Sequence, residues 1–167
     1  EQYFADIPPG PPLTKLERWV PERTVNTRET QYDRVPQARI YRVWLAPPDV
    51  DPASTDLFVA ASVLGDGKNS RLYKDLVYEQ QIATDVSVFN FEGQLSSIFG
   101  IVASVKPGES PEAVSAAIDA NLEAFLRGGP TRDEVALVAT KTKAGIVRGL
   151  EQVGGFSGKA VILAQGE

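Results

Sequence analysis

Hydrophobic and polar residues alternate along this chain with two different periods, and the switches between them mark out its elements. Arg39 to Leu45 (Arg-Ile-Tyr-Arg-Val-Trp-Leu) is dense in branched and aromatic residues and reads as a central strand, closed by Ala46-Pro47-Pro48. A helical period follows: Asp51 is placed to cap it, Pro52 lies in its first turn, Leu57, Phe58, Ala61 and Leu64 share one face, and Gly65 stops it. A second helix begins near Ser70 with Leu72, Tyr73 and Leu76 as its apolar stripe. It gives way to Ala83–Phe89, where Val86 and Val88 alternate with polar neighbours as in a half-buried strand. After a turn at Glu92-Gly93, Ser96 to Ala103 is apolar on both parities and belongs inside the sheet.

Two long helices close the pattern. Ser110-Pro111-Glu112 is a strong helix start, followed by Val114, Ala117, Ile118, Leu122 and Phe125 at helical spacing and ended by Gly128-Gly129. Thr131 and Glu134 form a capping box for the last helix, whose expected buried side carries Val135, Val138, Ala139, Thr142, Ile146 and Leu150. Its acids (Asp133, Glu134) stand at the start and its bases (Lys141, Lys143, Arg148) towards the end, which complements the helix dipole.

Upstream, Val25 to Arg34 is polar with a few β-formers and supplies a first strand. The resulting order is strand, strand, two helices, strand, strand, two helices. Consecutive strands imply antiparallel hairpins, so the expected fold is α+β: a two-layer sandwich of a mainly antiparallel sheet with helices packed on one face. Ile7 to Pro12 is a stiff proline connector. Residues 1–22 are therefore expected to be the end of a preceding domain and a linker. Residues 23–167 are expected to form a single α+β domain truncated at its C-terminal end, because Ala160 to Ala164 stops inside an apolar run.

Composition matters mainly for what it removes. The chain is 43% hydrophobic and 23% charged, ordinary for a globular domain, and it has no apolar run long enough to cross a bilayer. Its net charge of -5, with bases interleaved among acids, argues against a nucleic-acid footprint. There is no cysteine and no histidine. Disulfides, thiolate nucleophiles and the imidazole or sulfur ligands of a catalytic zinc cannot come from this chain.

Several motifs resolve to structural readings. Gly65-Asp66-Gly67-Lys68-Asn69-Ser70 precedes a helix, but a phosphate loop needs a glycine five residues before its Gly-Lys pair, and that place holds Ser62. For Gly158-Lys159 the same place holds Val153. Asp49 and Asp51 lie beside prolines at a helix start, where acids cap more often than they catalyse or bind calcium. Ser70 and Ser157 have no histidine to take their proton. Tyr41, Trp44, Tyr73, Tyr78, Phe89, Phe91 and Phe99 read as core packing ahead of a stacking platform. Gly154, Gly155 and Gly158, around Phe156 and Ser157, form a hinge or a close-packed turn.

The stretch from Gly67 to Ala83, preceded by Ala46-Pro47-Pro48 and Val63-Leu64-Gly65, resembles the non-catalytic domain of the insulinase/pitrilysin family of zinc peptidases, which includes the mitochondrial processing peptidase. Arg148 to Glu151 followed by Gly154 to Ala160 is similar to its bacterial two-repeat members most of all. The resemblance implies a clamshell of paired α+β domains of the processing-peptidase metallohydrolase type. In that family, zinc is held by an H-x-x-E-H helix and a distal glutamate in the first domain. This chain would then be the second domain of a half, with zinc in the parent protein and no cofactor of its own.

The resemblance further implies, as partners, the other domains of the same peptidase or a homologous subunit. It also implies a peptide substrate lying in the chamber as an added strand, no nucleic acid, and a bacterial envelope location. Ser70, Arg71, Leu72 and Tyr73 match the family's structural signature. Where the corresponding domain helps catalysis, an arginine follows the helix leucine and a tyrosine begins the next strand; here those places hold Val77 and Thr84. Valine donates no hydrogen bond and threonine lacks the reach of a phenol. The implied function is a non-catalytic domain that helps enclose substrate in a zinc endopeptidase, the alternative being an assembly domain of a catalytically inactive member.

Overall fold

A computed structural model of the chain describes residues 8, 10–12, 14, 16–17, 19–151, 159 and 163. Gly154, Gly155 and Gly158 lie outside the described residues, as do Ile7 and Pro9 of the proline connector and most of the C-terminal apolar run. The elements in order are β1 (Arg39–Ala46), α1 (Pro52–Gly65), a π-helix (Tyr73–Glu79), β2 (Ala83–Phe91), β3 (Ser97–Val105), α2 (Pro111–Gly128) and α3 (Arg132–Glu151).

The helix starts form where the chemistry of the sequence puts them. Asp51 accepts the N–H of Ala53 at 2.9 Å ahead of Pro52. The Ser110 hydroxyl accepts from Glu112 and Ala113 ahead of Pro111. The capping box closes both ways, Glu134 N–H to Thr131 Oγ1 at 3.2 Å and Thr131 N–H to Glu134 Oε2 at 2.7 Å. Each such cap contributes about 1 kcal/mol.

The described strands form one three-stranded antiparallel sheet in the order β1-β3-β2. Helices pack on one of its faces, which gives the α+β two-layer sandwich. The sequence reading of β1 as central is corrected: β1 is an edge strand, and β3 takes the middle. The reason lies in the side chains. β3 is apolar on both parities and can be enclosed, whereas β1 carries Arg39 and Arg42, and Arg42 reaches to Asp119 and Ser115 of α2. The expected first strand over Val25–Arg34 does not form. Every residue from 22 to 36 is exposed, and its polar side chains offer nothing to bury.

Side chains of one parity on each strand meet the helices. Val86, Val88, Ile101, Ala103 and Val105 are buried there against Leu64, Leu72, Leu76, Val114 and Ile118. Fully burying one leucine or isoleucine contributes about 1.5–3 kcal/mol, so these helix positions hold the layers together. α1 comes so close to β2 that a Cβ on Gly65 would lie 2.4 Å from both the backbone nitrogen and Cγ2 of Val88. Only glycine permits that approach.

The stripe expected to be buried on α3 is mostly uncovered. Val138 is buried, but Val135, Ala139 and Thr142 are exposed and Ile146 keeps 60% of its surface in solvent. α3 packs chiefly against α1, and among the described residues no strand lies beneath it.

Candidate functional site

The signature residues are structural in their contacts. Ser70 is buried, and its hydroxyl donates to the carbonyl of Gly67 at 2.7 Å while its own N–H donates to the same oxygen at 3.1 Å. This closes the turn at Gly67, whose φ of 78 requires glycine. Arg71 donates through Nε and Nη2 to the two oxygens of Glu134, both at 2.7 Å, and through Nη2 to the carbonyl of Gly129 at 2.9 Å. Its guanidinium also lies 5.2 Å from the centre of the Phe125 ring. Leu72 is fully buried, and Tyr73 packs half-buried against the core. The Arg71 bonds, with the two Thr131 contacts, hold the Glu134 carboxyl far below its ordinary range, at about 2.

The second helix is not an α-helix throughout. From Tyr73 to Glu79 it widens to a π-helix, with Gln80 N–H bonded to Asp75 O at 2.8 Å and Ile82 N–H to Leu76 O at 3.0 Å. Gln81 then takes a positive φ of 54 to turn the chain into β2. Wide turns of this kind are rare and often sit at functional positions. Periodicity alone gave no sign of it, because Leu72 and Leu76 keep their places in the core either way. Val77, within this turn, is half-buried against the core. Thr84, beside the bulge that starts β2, is exposed, and its hydroxyl lies 2.9 Å from Gln37 Oε1.

The opposite face of the sheet is open. By register it carries Tyr41, Val43 and Leu45 of β1, Ile98, Gly100 and Val102 of β3, and Ser87, Phe89 and Phe91 of β2. Tyr41 is 63%, Val43 58% and Phe91 70% exposed. At its centre the Phe89 ring lies over Gly100, where a Cβ would come within 2.3 Å of the ring. The seven aromatics of the sequence reading therefore do not form one group. Phe99 is buried on the helix face with Trp44 tilted against it at 6.0 Å, Tyr73 borders the core, and Tyr41, Phe89 and Phe91 share the open face. The alternate parity of β1, apolar at Tyr41, Val43 and Leu45, was the sequence signal for this second face. Large contiguous apolar patches are uncommon on the surfaces of monomeric soluble proteins.

No group of three or more carboxylate side chains among the described residues is placed to hold a metal ion. Asp49 and Asp51 sit at the start of α1, and Lys141 pairs with Asp66 at 3.2 Å beside the glycine turn. The Arg42 pair with Asp119, missed in the sequence because its partners are 77 residues apart, braces β1 to α2 and raises the Arg42 pKa through the hydrogen bond.

The described residues thus form a two-layer α+β domain with an arginine-braced helix pair and one open sheet face. Residues 1–141 match the peptidase M16 inactive domain family, and the chain belongs to that family. It is 30% identical over 96 residues to the zinc protease PqqE of Helicobacter pylori, covering 58% of this chain and 22% of that protein. The crystal structure of a protease from Helicobacter pylori superposes with a TM-score of 0.68 at 26% identity, over 72% of this chain and 29% of that one. A peptidase M16 inactive domain from Pseudomonas fluorescens shares the fold, with a TM-score of 0.61 at 18% identity over 66% of this chain and 27% of that one. The chain thus spans between 22% and 29% of the length of these relatives.

Proposed function

We propose that this chain is the second, substrate-enclosing domain of one half of a zinc-dependent endopeptidase. The zinc and the water it activates would be supplied by another domain of the parent. Residues 1–22 would be the end of a preceding domain and a proline-rich linker, and residues 23–167 this domain. The open sheet face would pack on a companion domain, so that the chamber holds an extended peptide by its backbone with loose side-chain preference.

The observation that carries this reading is the state of the two positions where the resemblance places catalytic donors. Val77 is half-buried in the core, and the Thr84 hydroxyl is paired with Gln37. Neither is free to reach a tetrahedral oxyanion, a contact that typically contributes about 3–4 kcal/mol to the transition state.

The test uses a quenched peptide and a chelator. The full-length parent is expected to cleave the peptide, lose that activity with chelator and regain it with zinc, while the 167-residue chain alone neither cleaves nor binds zinc tightly. Stoichiometric tight zinc in the isolated chain overturns the reading. A parent with no H-x-x-E-H helix and no chelator-sensitive activity replaces it with the assembly role.

A further inference from the structure

We propose that the stretch from Leu76 to Asp85 is a two-position register joint, in which the bulge residue Thr84 passes between solvent and the core side of the sheet while the elements at either end stay fixed. The joint is independent of the peptidase reading above.

Three irregularities follow one another along this stretch. The helix Tyr73–Glu79 is widened, with Gln80 N–H bonded to Asp75 O at 2.8 Å and Ile82 N–H to Leu76 O at 3.0 Å. Gln81 reverses the chain at φ 54, a left-handed setting that glycine takes freely and other residues resist. β2 then opens with a bulge: Ala83 pairs with Val105 and Asp85 with Ser104, so Thr84 is one residue too many for a regular ladder. Wide helical turns, left-handed residues other than glycine, and bulges each cluster at functional and switching segments, and here they adjoin.

The two ends hold firm. Leu72 and Leu76 are fully buried, and from Asp85 to Phe91 β2 keeps an unbroken register with β3. Between them residues 78–81 are exposed.

The second position follows from the pairing. When Thr84 enters the ladder opposite Val105, Ala83 takes the place of Ile82, and Lys106 N–H, bonded in the bulged position to Ile82 O at 2.9 Å, takes Ala83 O instead. Side chains alternate along a strand, so Thr84 then fills the helix-facing place in which Ala83 is buried. The turn before it gains one residue and reverses without holding Gln81 in the left-handed region. Against this flat position, the Thr84 hydroxyl gives up its 2.9 Å bond to Gln37 Oε1 for an apolar place, and Ile82 gives up its packing on the core. The Asp75 carboxylate, accepting from Gln80 Nε2 and from Asn121 Nδ2 of α2, also fastens the turn in the bulged position. The bulged position is therefore the major one. Exchange with the flat one turns residue 84 from solvent to core and resets what this corner of the sheet presents.

NMR relaxation dispersion and saturation transfer on the 167-residue chain test the joint. Millisecond exchange should be confined to residues 77–85 and the facing Val105 and Lys106, with a minor state of about 1% whose shifts place residue 84 in a regular strand. Thr84→Ala removes the Gln37 bond and suits the buried place, so it should raise the minor population about fivefold or more. Gln81→Gly relieves the left-handed residue of the bulged position and should lower that population about fivefold. Exchange detected only in Thr84→Ala, and quenched there by Gln81→Gly, supports the joint equally. Absence of exchange in both the unaltered chain and Thr84→Ala overturns it. So does exchange that runs through β2 to Phe91, which is local unfolding, or a population that moves in the same direction in both variants. The readout needs no peptidase activity, so its failure leaves the proposed function standing.

Discussion

Arg71 grips both carboxylate oxygens of Glu134, and the same carboxylate caps α3 by accepting the Thr131 N–H at 2.7 Å. One acidic side chain thus serves a capping box and a bidentate ion pair together. Through Gly129 O and the Phe125 ring, Arg71 also holds the turn between α2 and α3. The short helix after the glycine turn is fastened in this way to two others. The signature arginine is a brace, and its fork geometry is what lets one residue reach all three.

That pair sets an acid limit. The Glu134 pKa is depressed to about 2 by the Arg71 hydrogen bonds first and the Thr131 contacts after them. A depressed carboxylate contributes its full stability above its unfolded value of 4.5 and loses it as pH falls towards about 2. With the pair about a quarter exposed, the contribution at neutral pH is about 1–2 kcal/mol after solvent screening. Urea unfolding midpoints should fall between pH 5 and pH 2, and Glu134→Gln should flatten that fall while lowering stability at pH 7. An unchanged acid profile in Glu134→Gln would remove the pair from the account.

Two close glycine contacts should respond differently to alanine. At Gly65 the obstacle is the backbone and branched side chain of Val88, which cannot move without shifting β2. At Gly100 it is the far end of the Phe89 ring, which can swing towards solvent. Gly65→Ala should cost about 1–3 kcal/mol and Gly100→Ala less, as read by denaturant midpoints. Equal losses would contradict the difference in obstacles.

Activity should be insensitive at the two replaced positions. In the full-length parent, Thr84→Ala should leave kcat/KM within about twofold, against the 100-fold or greater loss typical of removing an oxyanion donor. Val77→Ala should lower the melting temperature, because it removes half-buried packing, with kcat unchanged. A drop in kcat beyond 100-fold at either position would assign it to the chemistry.

The open face should be dispensable alone and needed in company. Val43→Lys in the isolated chain should change stability by no more than about 0.5 kcal/mol, since the side chain is already exposed. It should also reduce any self-association seen by sedimentation. In the parent the same change should lower the melting temperature by several degrees, because it buries a charge against the companion domain. Equal, small effects in both would leave the face without a partner.

Much of this architecture was legible in the residues. Caps at Asp51, Ser110 and Thr131 and the doubly apolar run of β3 each have a local cause, and each formed. Density of aromatic and branched residues in β1 was a poor guide to its position, because an edge strand with apolar residues on both faces looks central. Val25–Arg34 had strand-like residues but nothing for them to cover. The stripe on α3 was expected to be buried, yet of its members whose burial is described only Val138 is, because spacing shows which positions share a face and not what lies against it. The π-helix and the Arg42 brace depend on where distant elements meet, which spacing along the chain does not encode.

The widened turn between Tyr73 and Glu79 is slack wound into the backbone. With Leu72 and Leu76 pinned in the core, one residue could be drawn out of that loop of helix and the remainder would still wind as an ordinary α-turn. The chain can therefore tolerate a change of length here without unpicking the sheet, and such a change would swing residue 77 to a new heading.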